Sequence, residues 1–187
     1  KPALATFTIK ESWCTEMQGL SLKNVSVVIK NGKKKIYEGF GEMLFTHFGV
    51  SGPLILSASS YYAKKYNGMQ VELLIDLKPA LTREQLDKRL LRDFDEIKNR
   101  QFKNALDGLL PSKMVPVIIR LSGISPQKQV NEITRAERGR IIECLKALTL
   151  TVTGTRDFKE AIITQGGVHV KEINPSTMES KLVKGLY

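Results

Sequence analysis

The spacing of apolar residues changes twice along the 187-residue chain, and this order restricts the fold more than any single motif. Up to about residue 79, apolar and polar residues mostly alternate, as in half-buried strands. Residues 80–148 show helical spacing, and the alternation returns from Thr149. The order predicts an α+β fold: a small antiparallel β-sheet or β-barrel domain with an inserted helical bundle subdomain. Residues 1–79 and 149–187 would form the discontinuous barrel-like domain, and residues 80–148 the insertion.

The first part of the chain contains a hairpin signal. "NVSVVIK" and "KKIYEGFGEMLFT" flank Asn31-Gly32, a pair that tolerates positive φ in a tight turn. Gly39 and Gly41 in the second arm are expected bulge or bend points. "LATFTIK" before the hairpin and "MQVELLIDL" after it predict further strands. Between them, "PLILSASSYYAKKYNG" predicts a helix that begins at Pro53 and stops at Gly68.

The middle of the chain contains two helix-start signatures. Thr82 with Gln85, and Thr134 with Glu137, have the spacing of capping boxes. "LTREQLDKRLLRDFDEIKN" after the first signature has a single apolar helical face. "QFKNALDGLL" and "PSKMVPVIIRLSG" lie between the two boxes, so the sequence predicts a bundle of about four helices.

Three further strands are predicted after the helical middle. "LTVTGT", "EAIITQGGVHVKEI" and "SKLVKGLY" all alternate apolar with other residues. The chain begins with Lys1 rather than Met, and "KGLY" ends it without a turn or polar tail. We therefore expect this sequence to be a piece of a longer protein.

Composition excludes several classes of protein. No run approaches the roughly 18 apolar residues of a membrane span, so no membrane association is expected. The two cysteines, Cys14 and Cys144, are too far apart for a CxxC site and too few for a disulfide framework, which predicts a cytoplasmic protein. With only two histidines besides, no metal site is expected.

The net charge of +10 raises the possibility of nucleic-acid binding. The excess of Lys and Arg is shared evenly between the helical middle and the rest of the chain, and no aromatic-rich RNA-binding strand motif is present. The one dense run, Lys33 to Lys35, follows Asn31-Gly32 and is expected at an exposed hairpin tip. A basic β-barrel with helices that binds nucleic acid is the alternative hypothesis, and nucleic acid is not the expected partner.

"THFGVSGP" places His47 four residues before Ser51, as if the two were a base and its nucleophile. A hydrolase would also need an oriented acid and a nucleophile elbow, and neither is recognisable. A structural role is favoured: Gly49 and Gly52 permit close backbone approach, and Ser51 could cap the helix that begins at Pro53. The free N–H groups of such a helix start also suit a phosphate or an electron-rich ring edge. No catalytic residue is assigned.

"TQGGV" at residues 164–168 has two interpretations. Gly166 and Gly167 could form a hairpin turn between strands, or they could let the backbone approach a flat ligand with no Cβ in the way. His169 follows within an alternating, strand-like run. The chain has neither a Walker A loop nor a G-x-G-x-x-G motif, so it lacks these two means of binding a nucleotide pyrophosphate.

"GEMLFTHFGVSGPLIL" and "TQGGVHVKEINPSTMESKLVKGLY" resemble signature stretches of the BaiN/RdsA family of NAD(P)/FAD-dependent oxidoreductases. "KPALATFTI" and "LKNVSVVI" fit the same family, and the helical middle is compatible with it. In such proteins a β-barrel and a helical subdomain interrupt the FAD-binding domain. The resemblance implies that this chain is that insert, without the G-x-G-x-x-G segment before it or the acidic, glycine-rich segment after it.

The resemblance also implies cofactors, partners and a site. The complete protein would use FAD and NAD(P)H to reduce a small organic substrate, for example at an activated C=C bond, whereas the insert alone would hold no cofactor and be inactive. Its partner would be the FAD-binding domain of the same chain. A separate hypothesis, independent of the resemblance, is that the helical subdomain of residues 80–148 is a lid or a partner-docking surface, and the sequence does not choose between the two. The implied cofactor-binding residues are Thr164, Gln165, Gly166, Gly167 and Val168. The implied cleft loop comprises Thr46, His47, Phe48, Gly49, Ser51 and Gly52.

Overall fold

A computed structural model describes residues 1–157 and 159–187 and confirms the α+β class. Six antiparallel strands close a barrel in the order β2-β5-β4-β3-β6-β7, and β1 and β8 form a separate two-stranded sheet. The strands are β1 Pro2–Ala3, β2 Phe7–Ile9, β3 Ser21–Asn31, β4 Lys34–Phe45, β5 Gly49–Ser51, β6 Val71–Asp76, β7 Leu148–Thr155 and β8 Ile163–Thr164. The α-helices are α1 Pro53–Lys65, α2 Arg83–Glu96, α3 Val115–Ser122 and α4 Arg135–Lys146.

The predicted hairpin is the longest element of the barrel. β3 and β4 pair in antiparallel register, with Asn31 opposite Lys34, so the two loop residues are 32 and 33. The loop lies one residue later than Asn31-Gly32 predicts, and Gly32 alone takes the positive φ, 56°. The register shifts between Leu22 and Val25, where two residues of β3 face Glu42 of β4, and again between Ile29 and Lys30. The first irregularity adjoins Gly41, as predicted, whereas Gly39 lies in regular pairing.

Helix α1 packs against the barrel and shares its core. It begins at Pro53, as predicted, and ends before Gly68, which adopts φ +83° in the following turn. Tyr62 is fully buried, with its ring edge-to-face on Phe7 at a centroid distance of 5.4 Å. Its hydroxyl donates to the carbonyl oxygen of Met69 at 2.8 Å. The buried hydroxyl therefore has a partner, as a buried polar group requires.

Both predicted capping boxes form. The Thr82 hydroxyl accepts from the N–H of Gln85, and the Thr134 hydroxyl from the N–H of Glu137, with the reciprocal side-chain bonds also in place. These bonds satisfy N–H groups that the first turn of a helix leaves without partners. Helices α2 and α4 accordingly begin where the sequence indicates.

The sequence predicts about four helices in residues 80–148, and the structure has three α-helices and two short 3-10 helices there. "QFKNALDGLL" forms only a short 3-10 helix, Phe102–Asn104, followed by turns. The N–H groups of Phe102 and Lys103 donate to the carbonyl groups of Lys128 and Pro126, so this segment bonds to a neighbouring one. Phe102 and Leu106 are nevertheless fully buried, which accounts for the apolar pattern.

Helices α2, α3 and α4 lie in sequence between β6 and β7, which pair side by side in the barrel. Buried side chains of the barrel and of α2, α3 and α4 belong to one continuous core. The division into a barrel domain of residues 1–79 and 149–187 and a helical subdomain of residues 80–148 stays a prediction. In the described part of the chain, no helix combines the length and the apolar character needed to cross a bilayer.

The strand predictions beyond β7 are wrong. Of "EAIITQGGVHVKEI" only Ile163–Thr164 is a strand, and "SKLVKGLY" contains none. β8 pairs with β1, which is itself short because Leu4 turns the backbone to φ +50°. After β8, Gly166 and Gly167 take φ of +116° and +136° and leave the extended conformation. Alternating side chains alone make no strand when no neighbouring strand offers hydrogen bonds.

Candidate functional site

The segment of residues 164–168, called here the glycine-pair segment, is attached to the start of the chain. Thr164 lies opposite Pro2 in the β1–β8 pair. The N–H of Gln165 donates to the carbonyl oxygen of Lys1 at 2.7 Å, and the Lys1 amino terminus donates to the carbonyl oxygen of Gln165 at 2.8 Å. These bonds hold the glycine-pair segment beside Lys1.

A cavity of about 700 Å³ lies over this segment. Its lining comes from the chain start, from the last turn of α1 and from the glycine-pair segment: Lys1, Lys64, Thr164, Gln165, Gly166 and Gly167. The volume falls in the range of small-molecule sites.

The two glycines present bare backbone to open space. A Cβ built on Gly166 or on Gly167 would meet no atom within 4 Å, so packing within the described residues does not demand glycine at either position. Their positive φ values do favour glycine. The hairpin interpretation is wrong, because His169 begins a short 3-10 helix, Val170–Glu172, where a second strand would have to start. The same helix shows that His169 does not lie in a strand, as the sequence had predicted.

Gln165 carries an unsatisfied acceptor. Its side-chain oxygen Oε1 is buried and has no hydrogen-bond partner among the described residues. A buried acceptor without a donor costs about 1–3 kcal/mol. A donor from outside these residues would remove that cost.

Residues 46–52, called here the His47 loop, comprise the tight turn of residues 46–48 between β4 and β5, the short strand β5 itself, and Gly52. The N–H of Thr46 donates to the carbonyl oxygen of Gly49 at 2.8 Å, and the N–H of Gly49 donates to the Thr46 hydroxyl at 3.1 Å. A Cβ on Gly49 would overlap the carbonyl oxygen of Phe7. Gly52 has φ +95°, and a Cβ there would lie 2.9 Å from Cα of Met43. Packing therefore requires both glycines.

The described structure does not assemble a Ser–His pair. The Ser51 hydroxyl bonds the Thr6 hydroxyl at 3.0 Å, and no hydrogen bond joins Ser51 to His47. The expectation that Ser51 caps α1 is wrong, because Ser51 ends β5 and the N-cap position is taken by Gly52, which makes no side-chain bond. The His47 imidazole is exposed, with its ring edge on Phe48 at a centroid distance of 4.4 Å.

Two charged residues that were not predicted complete the surroundings of the His47 loop. The Arg156 guanidinium carbon lies 4.5 Å from the centroid of the Phe48 ring, in a cation–π contact. Arg156 also forms an ion pair with Glu160 at 2.6 Å. The hydrogen bond from Arg156 lowers the pKa of the Glu160 carboxyl, with smaller contributions from the positive charges of Arg156 and His47. The i, i+4 spacing in "RDFKE" was the available sequence signal.

The glycine-pair segment and the His47 loop lie at opposite ends of α1. Gly52 is the N-cap of this helix, whereas Lys64 in its last turn lines the cavity over the glycine pair. A helix of 13 residues is about 20 Å long. No His47-loop residue lines that cavity, so the cleft that the two stretches were predicted to share stays a prediction.

Other reactive groups are sparse in the described residues. They contain no cluster of three or more His, Cys, Asp or Glu side chains with the geometry to hold a metal ion. Burial raises the pKa of the Cys14 thiol to about 12 and also raises that of Cys144. Neither thiol resembles an activated nucleophile, whose pKa would be lowered.

Comparison with protein families gives a match over residues 1–163 to the HI0933-like protein barrel and H2TH domain. The chain belongs to this family. The match covers the barrel and all four α-helices and ends within β8. The HI0933-like assignment confirms the resemblance to BaiN/RdsA proteins.

Curated relatives of this HI0933-like chain align with all of it. It is 28% identical over 187 residues to a 3-dehydro-bile acid delta(4,6)-reductase of Clostridium scindens, of which the alignment covers 46%. It is 30% identical over 189 residues to a ribosomal RNA dihydrouridine synthase of Haemophilus influenzae and 28% identical over 187 residues to that of Escherichia coli, with 44% of each covered. The chain therefore spans less than half the length of the curated relatives it matches. The glycine-pair segment lies beyond the family match but within the alignments with these relatives.

Proposed function

We propose that this chain is the insert domain of an FAD-dependent oxidoreductase and that it covers the flavin and the substrate. The complete protein would reduce an organic acceptor with electrons from NAD(P)H, in the cytoplasm. The relatives' names support a C=C bond as the reduced group: a delta(4,6)-reductase saturates ring double bonds, and dihydrouridine is uridine with a saturated C5–C6 bond. The acceptor would thus be a steroid-like molecule or an RNA base.

The observation that carries the proposal is the orphaned oxygen of Gln165 beside the bare glycine pair. A flavin ring is flat and has an N–H donor on its edge, so it fits a surface that offers an acceptor and lacks Cβ atoms. When bound, the flavin supplies hydride transfer. The backbone of Gly166 and Gly167 would pack against the ring, Gln165 Oε1 would accept a hydrogen bond, and Thr164 and Val168 would flank the contact.

The His47 loop would border the substrate side of the same cleft. Its glycines fix the turn, and this leaves the exposed His47 and the Phe48–Arg156 pair to face outward. The positive charge of Arg156, held by Glu160, would orient a polar or anionic group of the substrate. Residues 80–148 would act as a lid or as a docking surface beside this cleft.

The partner that completes the cleft would be the FAD-binding domain of the same parent chain. Beyond the barrel, several large apolar side chains are exposed, including Val168 at 71%, Val170 at 82% and Tyr187 at 79%. Exposed apolar groups concentrated in one segment mark an interaction surface. They begin at Ile162 and Ile163, just before the glycine pair, so a domain that bound the flavin would cover them as well. The 187-residue chain alone is expected to bind no FAD.

The test is to purify the full-length protein that contains these residues and to record its visible spectrum and its oxidation of NADH and NADPH. The proposal predicts flavin absorbance bands and NAD(P)H oxidation that depends on an acceptor. A colourless protein that cannot be reconstituted with FAD would contradict it.

A further inference from the structure

A groove runs along the junction of the barrel and the helical residues, away from the glycine pair. It consists of two adjoining cavities of about 240 and 550 Å³ that share Asn24, Leu77 and Lys78. One wall is formed by β3 and β4 of the hairpin. The other wall comes from the residues that lead out of β6 and from Leu110, Pro111 and Met114 before α3.

The groove carries positive charge without a matching acid. Lys78 is half-buried, and its ammonium group has no hydrogen bond or ion pair to the described residues. Burial, followed by the positive charge of Arg89, lowers the pKa of Lys78. Lys23 also lines the groove, and neither cavity is lined by a carboxylate. The nearest acid in sequence, Asp76, is engaged by Lys146 at 2.6 Å.

An aromatic ring stands beside this charge. Phe40 of β4 is 63% exposed and lines the larger cavity together with Lys78 and Pro79. A large apolar side chain on the outer face of a barrel strand has no role in the barrel core. A phenyl ring next to an unpaired cation provides a stacking surface and a phosphate contact, the two elements that recur in single-strand binding sites.

We propose that this groove binds a single-stranded segment of RNA, with a phosphate at Lys78 and a base stacked on Phe40. An even distribution of charge along the sequence does not determine where charges lie in the fold, and both Lys23 and Lys78 line this groove. A steroid carries no phosphate, so of the two acceptor classes proposed above only RNA complements the groove. The site goes beyond the proposed function, because it holds RNA away from the flavin.

The first test measures binding of the full-length protein to a fluorescein-labelled decamer of uridylate by anisotropy, over a series of KCl concentrations. We expect Lys78→Gln to weaken binding several-fold and to lower the slope of log K against log salt by about 0.7, as for one phosphate contact on a single strand. The matched control, Lys34→Gln at the exposed hairpin tip, should change affinity less than twofold. Equal losses for the two lysine variants would overturn the proposal.

Phe40 provides the second test. Phe40→Ala should weaken binding about tenfold, the effect of losing one stacked base, and Phe40→Trp should restore it. Because the side chain is exposed, neither change should shift the melting temperature. Unchanged affinity in Phe40→Ala would overturn the proposal. So would protection of Phe40 from hydroxyl-radical oxidation in the RNA-free full-length protein, because another part of the chain would then fill the groove.

Flavin absorbance recorded on the same samples separates the two proposals. Flavin retained while both groove variants lose RNA would support the groove. Absence of flavin in the unsubstituted protein would contradict the proposed oxidoreductase function without altering the comparison of RNA affinities.

Discussion

Gly52→Ala is expected to destabilise the fold far more than the addition of one methyl group suggests. Gly52 adopts φ +95°, and a Cβ there would lie 2.9 Å from Cα of Met43 and 3.1 Å from the backbone nitrogen of Leu44. Both neighbours are backbone atoms of β4, so no flexible side chain can move aside. Either β4 or the start of α1 must shift.

The magnitude follows from three contributions. A positive φ costs alanine about 1–2 kcal/mol. Forcing the backbone apart costs about 1–3 kcal/mol, as for an overpacked core. The reduced freedom of the unfolded chain offsets about 0.4–1 kcal/mol. We expect a net loss of about 2–4 kcal/mol.

Gly68→Ala is the matched control, because Gly68 has φ +83° and a Cβ there would meet nothing within 4 Å. It keeps the backbone strain without the clash, so its loss should be about 1 kcal/mol or less. Urea unfolding followed by circular dichroism at 25 °C measures both. Equal losses in Gly52→Ala and Gly68→Ala would refute the clash as the reason for glycine in this loop.

Three further predictions concern side chains. In the 187-residue chain, Gln165→Met should raise the free energy of unfolding by about 1–3 kcal/mol, because it removes a buried acceptor that has no donor; in the full-length protein it should weaken FAD binding, as a titration would show. The hydrogen bond from Lys128 helps to hold the pKa of Glu137 at about 2, below the ordinary 4.5. The ionised carboxylate therefore stabilises the fold fully above about pH 4.5, and this contribution to the free energy of unfolding is lost as the pH falls through 2. Glu137→Gln keeps a capping side chain, so the difference in free energy of unfolding between it and the unsubstituted protein should be largest above pH 5 and should disappear near pH 2, as measured by urea unfolding. A difference independent of pH would contradict this. Burial raises the pKa of Cys14 to about 12, so iodoacetamide at pH 8 should leave Cys14 unmodified in the native protein and modify it in urea, by peptide mass spectrometry; rapid native labelling would contradict the burial.

Elements with local signals were predictable from the sequence. The β3–β4 hairpin follows from alternation around Asn31-Gly32, and the starts of α2 and α4 follow from their capping boxes. In each case the residues that specify the element also form its hydrogen bonds. The sequence alone did not distinguish an open sheet from a closed barrel. Closure depends on β2 pairing with both β5 and β7, which lie far apart in sequence.

The errors arose where a local pattern had no matching neighbour. The alternation in "SKLVKGLY" matches a strand, yet among the described residues only Ser180 pairs, in an isolated bridge with Ile173, and Leu182 and Tyr187 remain exposed. Contacts between side chains that are distant in sequence could not be predicted either, and the contact of Arg156 with the Phe48 ring is one of these. The orphaned oxygen of Gln165 is likewise a property of burial, which no spacing of residues reveals.

The central claim is that the glycine-pair segment contacts a flavin, and the affinity of the full-length apoprotein for FAD tests it most directly. Gly167→Val places a side chain in space that is open in the described residues and that the flavin would occupy. Gly68→Val also places a side chain at a positive φ, at a residue that does not line the cavity. Titration followed by flavin fluorescence should show at least a tenfold loss of FAD affinity in Gly167→Val and less than twofold in Gly68→Val. Unchanged FAD affinity in Gly167→Val would contradict the claim and leave the glycine pair with a role in the chain turn alone.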